Sequence, residues 1–358
     1  MCDDNFYFGN SFNVNGTMKT VGPDVYLTNV IGNASLAWLA DAAAAAAAGG
    51  APFFAYIAPH APHVPATPAH EYENAPLASE TAPRVPSWNY ATQHHHWLVS
   101  EKAPLSPALV NFSDQLFARR LRATMSVDDI VAAVYALLRK TGMIENTYVI
   151  YSSDHGYDLG NFRLPSGKFN AFENDIRVPF HVTGPGVPAG VDRPEILVNN
   201  VDLAPTLLGL AGVAPTTVLD GRSFAPHLAA QTSAPQRDRL VFEYWGMGYT
   251  MRGPCKNGTT PCPNGPEALE DAPSNSWSGL RILNATHDLV YAEYRPSAKT
   301  PLLRENTNFT QAFNMTADPW QLVNRANASR AGSFSAEMLA ALSKELWAVA
   351  TCEGGACP

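Results

Sequence analysis

Residues 148–179, YVIYSSDHGYDLGNFRLPSGKFNAFENDIRVP, constrain the chain most, because they set a strand-like apolar run directly against a polar Asp154-His155-Gly156 tip. Polar clusters at the carboxyl ends of strands are where open α/β sheets bind ligands. Farther along, Lys168 stands in a glycine-containing loop, where an ammonium can meet an anion.

The flanking pattern predicts alternating elements. From Ser126 the run SVDDIVAAVYALLRKTG has a capping serine, Asp129 at the third helical position and one apolar face, and it stops at Gly142. A strand over 147–152 follows, giving an α-to-β unit. Further strands are expected over 52–58 (PFFAYIA) and 178–182, with helices over 35–48 and 201–213. Beyond about Arg237 the character changes. The segments LVFEYW, SGLRILN and DLVYAEYR read as short antiparallel strands, and 335–350 reads as a closing helix. The expected organisation is an α/β portion over 1–236 with a mostly parallel, doubly wound sheet, and a smaller α+β subdomain over 237–358.

A chain of 358 residues that is 46% hydrophobic can bury a sizeable core. Its net charge of -8, without a basic run, argues against a nucleic-acid groove, so an anionic ligand is expected to be held by local charges. Of five cysteines, Cys255/Cys262 and Cys352/Cys357 suit two small disulfide loops, leaving Cys2 over. Asn-x-Ser/Thr acceptors stand at Asn15, Asn33, Asn111, Asn257, Asn284, Asn308, Asn314 and Asn327. Sequons and paired cysteines together point to a secreted, extracellular or lysosome-like location. The start Met-Cys-Asp-Asp carries no signal-peptide pattern, so the natural amino terminus is expected to lie elsewhere. No stretch is expected to reach the roughly 20 apolar residues of a membrane span.

Several side chains could carry chemistry. Asp154 and His155 could bind a metal, and a hard cation such as calcium would prefer the carboxylate; the competing reading is a strand-ending Asp-x-Gly turn. His63, between Pro62 and Pro65, could act as a general acid, with His60 its near competitor. Lys168 could bind a sulfate or phosphate oxygen. In the tract His94-His95-His96 consecutive side chains diverge, which argues against a metal site and leaves His96-Trp97 to line a sugar pocket.

The whole run SDHGY...LG.F.L..GK....E.DIRVPF resembles the sulfatase family. So do APH at 61–63, HWL at 96–98, the F.D..F..R run around Phe112 to Arg120, MSVDD at 125–129, VDLAPTLLGLAGV with Asp220-Gly221, and NMTADPWQLVN from Asn314. They are similar to the branch holding N-acetylglucosamine-6-sulfatase and the algal and plant arylsulfatases. The resemblance implies an alkaline-phosphatase-like fold and hydrolysis of sulfate esters, in which a formylglycine made from Cys in C-x-P-x-R attacks sulfur beside calcium. Carried over by position, His63 would protonate the leaving alcohol, Asp154 and His155 would bind calcium, and Lys168 would hold the sulfate of a sulfated carbohydrate.

The sequence also departs from the pattern. It has no C-x-P-x-R and no paired amino-terminal aspartates, and Asp158 stands where the branch commonly has His. The expectation is therefore a sulfatase lacking its amino-terminal part and inactive as it stands. The alternatives are a degenerate glycan-binding relative, or a metal-dependent phosphatase or phosphodiesterase of the same superfamily.

Overall fold

The computed structural model describes residues 7–229, 237–246, 271–297, 299–300, 304–327, 331–354 and 357. They fall into two compact units. One takes in Met1–Pro83 and Pro107–Val149; the other takes in Arg84–Ser106 and the described residues from Ile150 onward.

The first unit opens with an antiparallel hairpin of β1 (Ser11–Val14) and β2 (Thr17–Thr20), turned at Asn15-Gly16, and continues into helix α1 (Leu27–Ala47). The helix expected over 35–48 is found, starting earlier. Thr28, Gly32, Leu39 and Ala43 are its buried positions, one stripe at helical spacing. At Gly32 its backbone lies close against the long helix of this unit: a Cβ there would meet Cγ1 of Ile130 at 2.7 Å. The helix corrects one expectation, since its 21 residues are long and apolar enough to cross a membrane by length and composition. Its alanine tract adds apolar length to a helix that begins eight residues before Ser35.

The run 52–58 is not a strand. It carries no ladder, and Phe54 and Tyr56 are exposed, so its apolar character reflects no buried pairing among the described residues. After the four-residue helix α2 (Trp97–Ser100), which belongs to the second unit, comes α3 (Pro107–Lys140). It is 34 residues long, and Ser126 is a buried interior position rather than a cap. The reason is periodic. Leu109, Leu116, Ala123, Val127, Ile130 and Leu138 continue one buried stripe through that point, and neither Gly nor Pro interrupts the chain between Pro107 and Gly142. Tyr7, Tyr26, Ala61, Ala69, Ala123 and Val127 form the core of this unit.

In the second unit β3 (Val149–Ser152), α4 (Glu173–Ile176) and β4 (Phe180–Thr183) frame the site. Strands β3 and β4 are hydrogen-bonded neighbours and form a two-stranded sheet among the described residues, where the sequence led us to expect a larger one. Next come α5 (Leu203–Leu210) and α6 (Ala225–Leu228). Asn199 and Asp202 form a capping box before α5, and the buried Asp202 carboxylate also meets Arg237 at 2.5 Å.

The carboxyl-terminal strands are β5 (Arg239–Tyr244), β6 (Ser276–Leu283), β7 (Asp288–Arg295) and β8 (Phe309–Asn314), antiparallel in that order. The first three match the expected strands; β8 is additional. Helix α7 (Ala336–Ala350) begins at Ser335, whose hydroxyl accepts from Met338 N–H, as expected of a cap. It lays Leu342 and Leu346 on Leu280, Ile282, Leu289 and Tyr291. Each such buried leucine contributes roughly 1.5–3 kcal/mol. On the sheet's other contacts, Val290 and Phe313 join Phe162, Leu164 and Phe172, which belong to the loop between β3 and α4.

Candidate active site

The Asp154-His155-Gly156 tip follows β3 directly and is pinned by backbone bonds. Gly156 N–H donates to Asp175 O at 2.7 Å and Tyr157 N–H to Asn174 O at 2.9 Å. Only glycine fits this position, because a Cβ on residue 156 would lie 1.9 Å from Asn174 O. The next residues loop out and return: Asp158 N–H donates to Gly167 O at 2.8 Å, one residue before Lys168. Phe162 and Phe172 stack at 3.8 Å in the core and anchor that loop at both ends. The sequence thus places charged side chains on a tip whose backbone is held from beneath.

Asp154, His155 and Lys168 are brought together. His155 Nδ1 lies 2.7 Å from Gly156 O, which fixes the ring with Nδ1 as donor and Nε2 as acceptor. Lys168 Nζ approaches that Nε2 at 2.7 Å, and Asp154 Oδ2 is 3.2 Å from it. An ammonium and a carboxylate oxygen thus both face Nε2 of His155. Asp154 also accepts from His155 N–H at 3.1 Å, yet its side chain is 83% exposed, so it stays hydrated.

This arrangement fits part of a cation site. A metal-binding imidazole commonly donates its other N–H to a carbonyl, as His155 does to Gly156, and a carboxylate oxygen lies beside the accepting nitrogen. The donors number two. Among the described residues no group of three or more His, Cys, Asp or Glu is placed to hold a metal, and calcium takes about 6–8 oxygen ligands.

Beneath the tip lies a carboxyl pair that sequence reasoning did not single out as a pair. Asp158 is fully buried and accepts from Asn174 Nδ2 at 2.6 Å and Asn170 Nδ2 at 3.4 Å. Asp175 accepts from Asn170 N–H at 2.8 Å and Asn174 Nδ2 at 2.9 Å. Burial pushes the Asp175 carboxyl well above the ordinary carboxylate range, against the pull of the Asn170, Asp158 and Asn174 hydrogen bonds. Asp158 is therefore a structural anchor of the Lys168 loop, buried away from any ligand at the tip. The two asparagines flanking the Phe172-Glu173 pair were the available signal.

His63 belongs to the other unit. Its Nδ1 lies 2.7 Å from Val64 O, while Tyr7 OH donates to His63 O and Arg120 Nη1 to Pro62 O, tying the loop to the amino-terminal segment and to α3. The ring is exposed, 4.9 Å from that of His60. Burial, then the neighbouring His63, pushes His60 down to about 4, so His60 is unprotonated at neutral pH. The sequence alone left these two open.

The remaining candidates separate. His96 is buried, stacked at 4.2 Å on Tyr294, and pushed down to about 3 by burial. With Trp97 and Phe309 it lines a cavity of about 310 Å³. His95 also lines it, with Nε2 3.0 Å from Gln321 O, whereas His94 Nδ1 meets Asn327. Cys352 and Cys357 are disulfide-bonded, whereas Cys255, Cys262 and Asn257 lie outside the described residues. Asn15, Asn33, Asn111, Asn284 and Asn308 are exposed; Asn314 and Asn327 are half-buried.

The architecture is alkaline-phosphatase-like. A solved sulfated-sugar complex, described as bound to its substrate D-glucosamine-2-N,6-O-disulfate, superposes with a TM-score of 0.70 over 95% of this chain and 72% of the other, at 18% identity. The sulfatase family model matches residues 2–213, and the chain belongs to that family. It is 33% identical to N-acetylglucosamine-6-sulfatase of Bos taurus over 98% of its own length. It is also 36% identical to an extracellular sulfatase SULF-1 homologue of Drosophila melanogaster, over 67% of this chain and 21% of that protein. The chain spans 60% of the length of the bovine relative. The sulfatase family is generally metal-dependent.

Proposed function

We propose that this chain carries the cation-binding, anion-binding and proton-donating side chains of a sulfuric ester hydrolase that acts on sulfated sugars of the glucosamine type. The carrying observation is the meeting of Asp154, His155 and Lys168 at one backbone-pinned tip. Lys168 binds the sulfate oxygens as a point charge. Asp154 and His155 would hold calcium, which supplies Lewis-acid neutralisation of the sulfuryl group. His63 donates a proton from its ring to the departing alcohol, and His96 borders the sugar. Burial disfavours the charged form of His60, which favours His63 for that role.

The nucleophile-bearing C-x-P-x-R motif does not occur in these 358 residues. The α/β portion over 1–236 would hold the chemistry and the portion from 237 would support it. Exposed sequons and the Cys352–Cys357 bond support a secreted or lysosome-like location.

Calorimetric titration with N-acetylglucosamine 6-sulfate in calcium tests the reading. The sulfated sugar binds, unsulfated N-acetylglucosamine binds at least about tenfold more weakly, and Lys168→Ala removes that difference, as expected for a charged hydrogen bond of roughly 1.5–3 kcal/mol. Equal affinity for both sugars overturns it, and preference for the 6-phosphate over the 6-sulfate favours the phosphatase alternative.

A further inference from the structure

A second cavity, of about 390 Å³, opens within the same unit and is walled by Glu173, Arg177, Arg281, Asp288 and Trp320. Its size falls in the range of small-molecule sites. We propose that it is a subsite for an uncharged pyranose ring, a non-reacting residue of the glycan whose sulfated residue meets Lys168; in that respect it rests on the function proposed above.

Charge, shape and rigidity each support this. Arg281 is already held between two carboxylates, Nε at 3.1 Å from Glu173 Oε1 and Nη1 at 2.5 Å from Asp288 Oδ1, and Arg177 lies 3.7 Å from Glu173 Oε2. Two guanidinium groups are thus balanced by two carboxylates, which suits hydroxyls that both donate and accept and does not select another sulfate. Trp320 supplies an apolar plate for the C–H face of a sugar: it is 42% exposed and makes no ring stack among the described residues. Its backbone is nonetheless fixed. Asp318 accepts from Leu322 N–H at 3.0 Å and Val323 N–H at 2.8 Å, and Gln321 Oε1 accepts from Glu173 N–H at 2.7 Å. A large aromatic side chain held out to solvent on a braced turn is pre-organised for a ligand. The cavity also adjoins the catalytic tip through α4, because Asn174, which lines it, accepts the Tyr157 N–H two residues after His155.

The test uses the full chain and an unsulfated N-acetylglucosamine tetrasaccharide, followed by tryptophan fluorescence and calorimetry. The tetrasaccharide binds, Trp320→Ala weakens it at least fivefold, and the exposed Arg177→Ala weakens it about threefold. Wild-type affinity in both Trp320→Ala and Arg177→Ala, or no binding of the tetrasaccharide to the wild type, overturns the proposal. Binding of N-acetylglucosamine 6-sulfate separates this failure from that of the underlying reading: if it persists and depends on Lys168 while the tetrasaccharide fails, the sulfate site stands and the subsite falls. If Trp320→Ala abolishes the sulfated monosaccharide as well, the cavity is no separate subsite and the proposal is overturned.

Discussion

Asp175 is the residue through which pH acts on the site's foundation. Its folded carboxyl is raised by burial, so the folded chain keeps a proton that the unfolded chain has already lost. Stability from this group is present below the ordinary carboxylate range, near pH 4, and is lost as pH rises toward neutrality, with a slope of at most roughly 1.4 kcal/mol per pH unit. Urea denaturation between about pH 5 and 7 should show the wild type losing stability relative to Asp175→Asn, which carries no titrating carboxyl. A pH-independent difference between the two contradicts the assignment. At this scale the sequence was informative where chemistry and backbone coincide. Asp154, His155 and Lys168 were legible because a glycine, a strand end and a loop length determine where they go. Asp175 was not, because pairing with Asp158 depends on a chain reversal seventeen residues long, and neither was the burial of His96, because nothing local announces the Tyr294 ring it stacks on.

Helices and strands show the same division between local and distant causes. The closing helix over 335–350 and the stop at Gly142 are local and were readable, whereas the start of α3 was misjudged because a serine can cap a helix or lie within one, and only the buried stripe upstream decides. The run 52–58 misled for a related reason: apolar continuity predicts burial, but a strand needs a neighbour. The contact of α1 with α3 through Gly32 gives a test at this scale. Gly32→Val should cost on the order of 2 kcal/mol by overpacking against Ile130, and Ile130→Ala in the same chain should recover part of that loss. Thermal or urea unfolding of the four members of the cycle measures it; strictly additive losses would show that the helices do not meet there.

For the whole molecule, charge and sequons gave expectations about partners and location, but two compact units interleaved along the sequence could not be read from a single compositional boundary. Turnover belongs to this scale too. The 358-residue polypeptide assayed alone, with calcium and an aryl sulfate, should release no phenol above background, because no C-x-P-x-R supplies the nucleophile; metal-dependent turnover contradicts this. The central claim is that Asp154, His155 and Lys168 meet at one backbone-pinned tip that takes a cation. Paramagnetic broadening by Mn²⁺, a substitute for calcium at the two donors, measures it most directly. The account predicts that Mn²⁺ broadens the ring-proton resonances of His155, and that Asp154→Asn weakens the effect. His155 resonances untouched by Mn²⁺ contradict it.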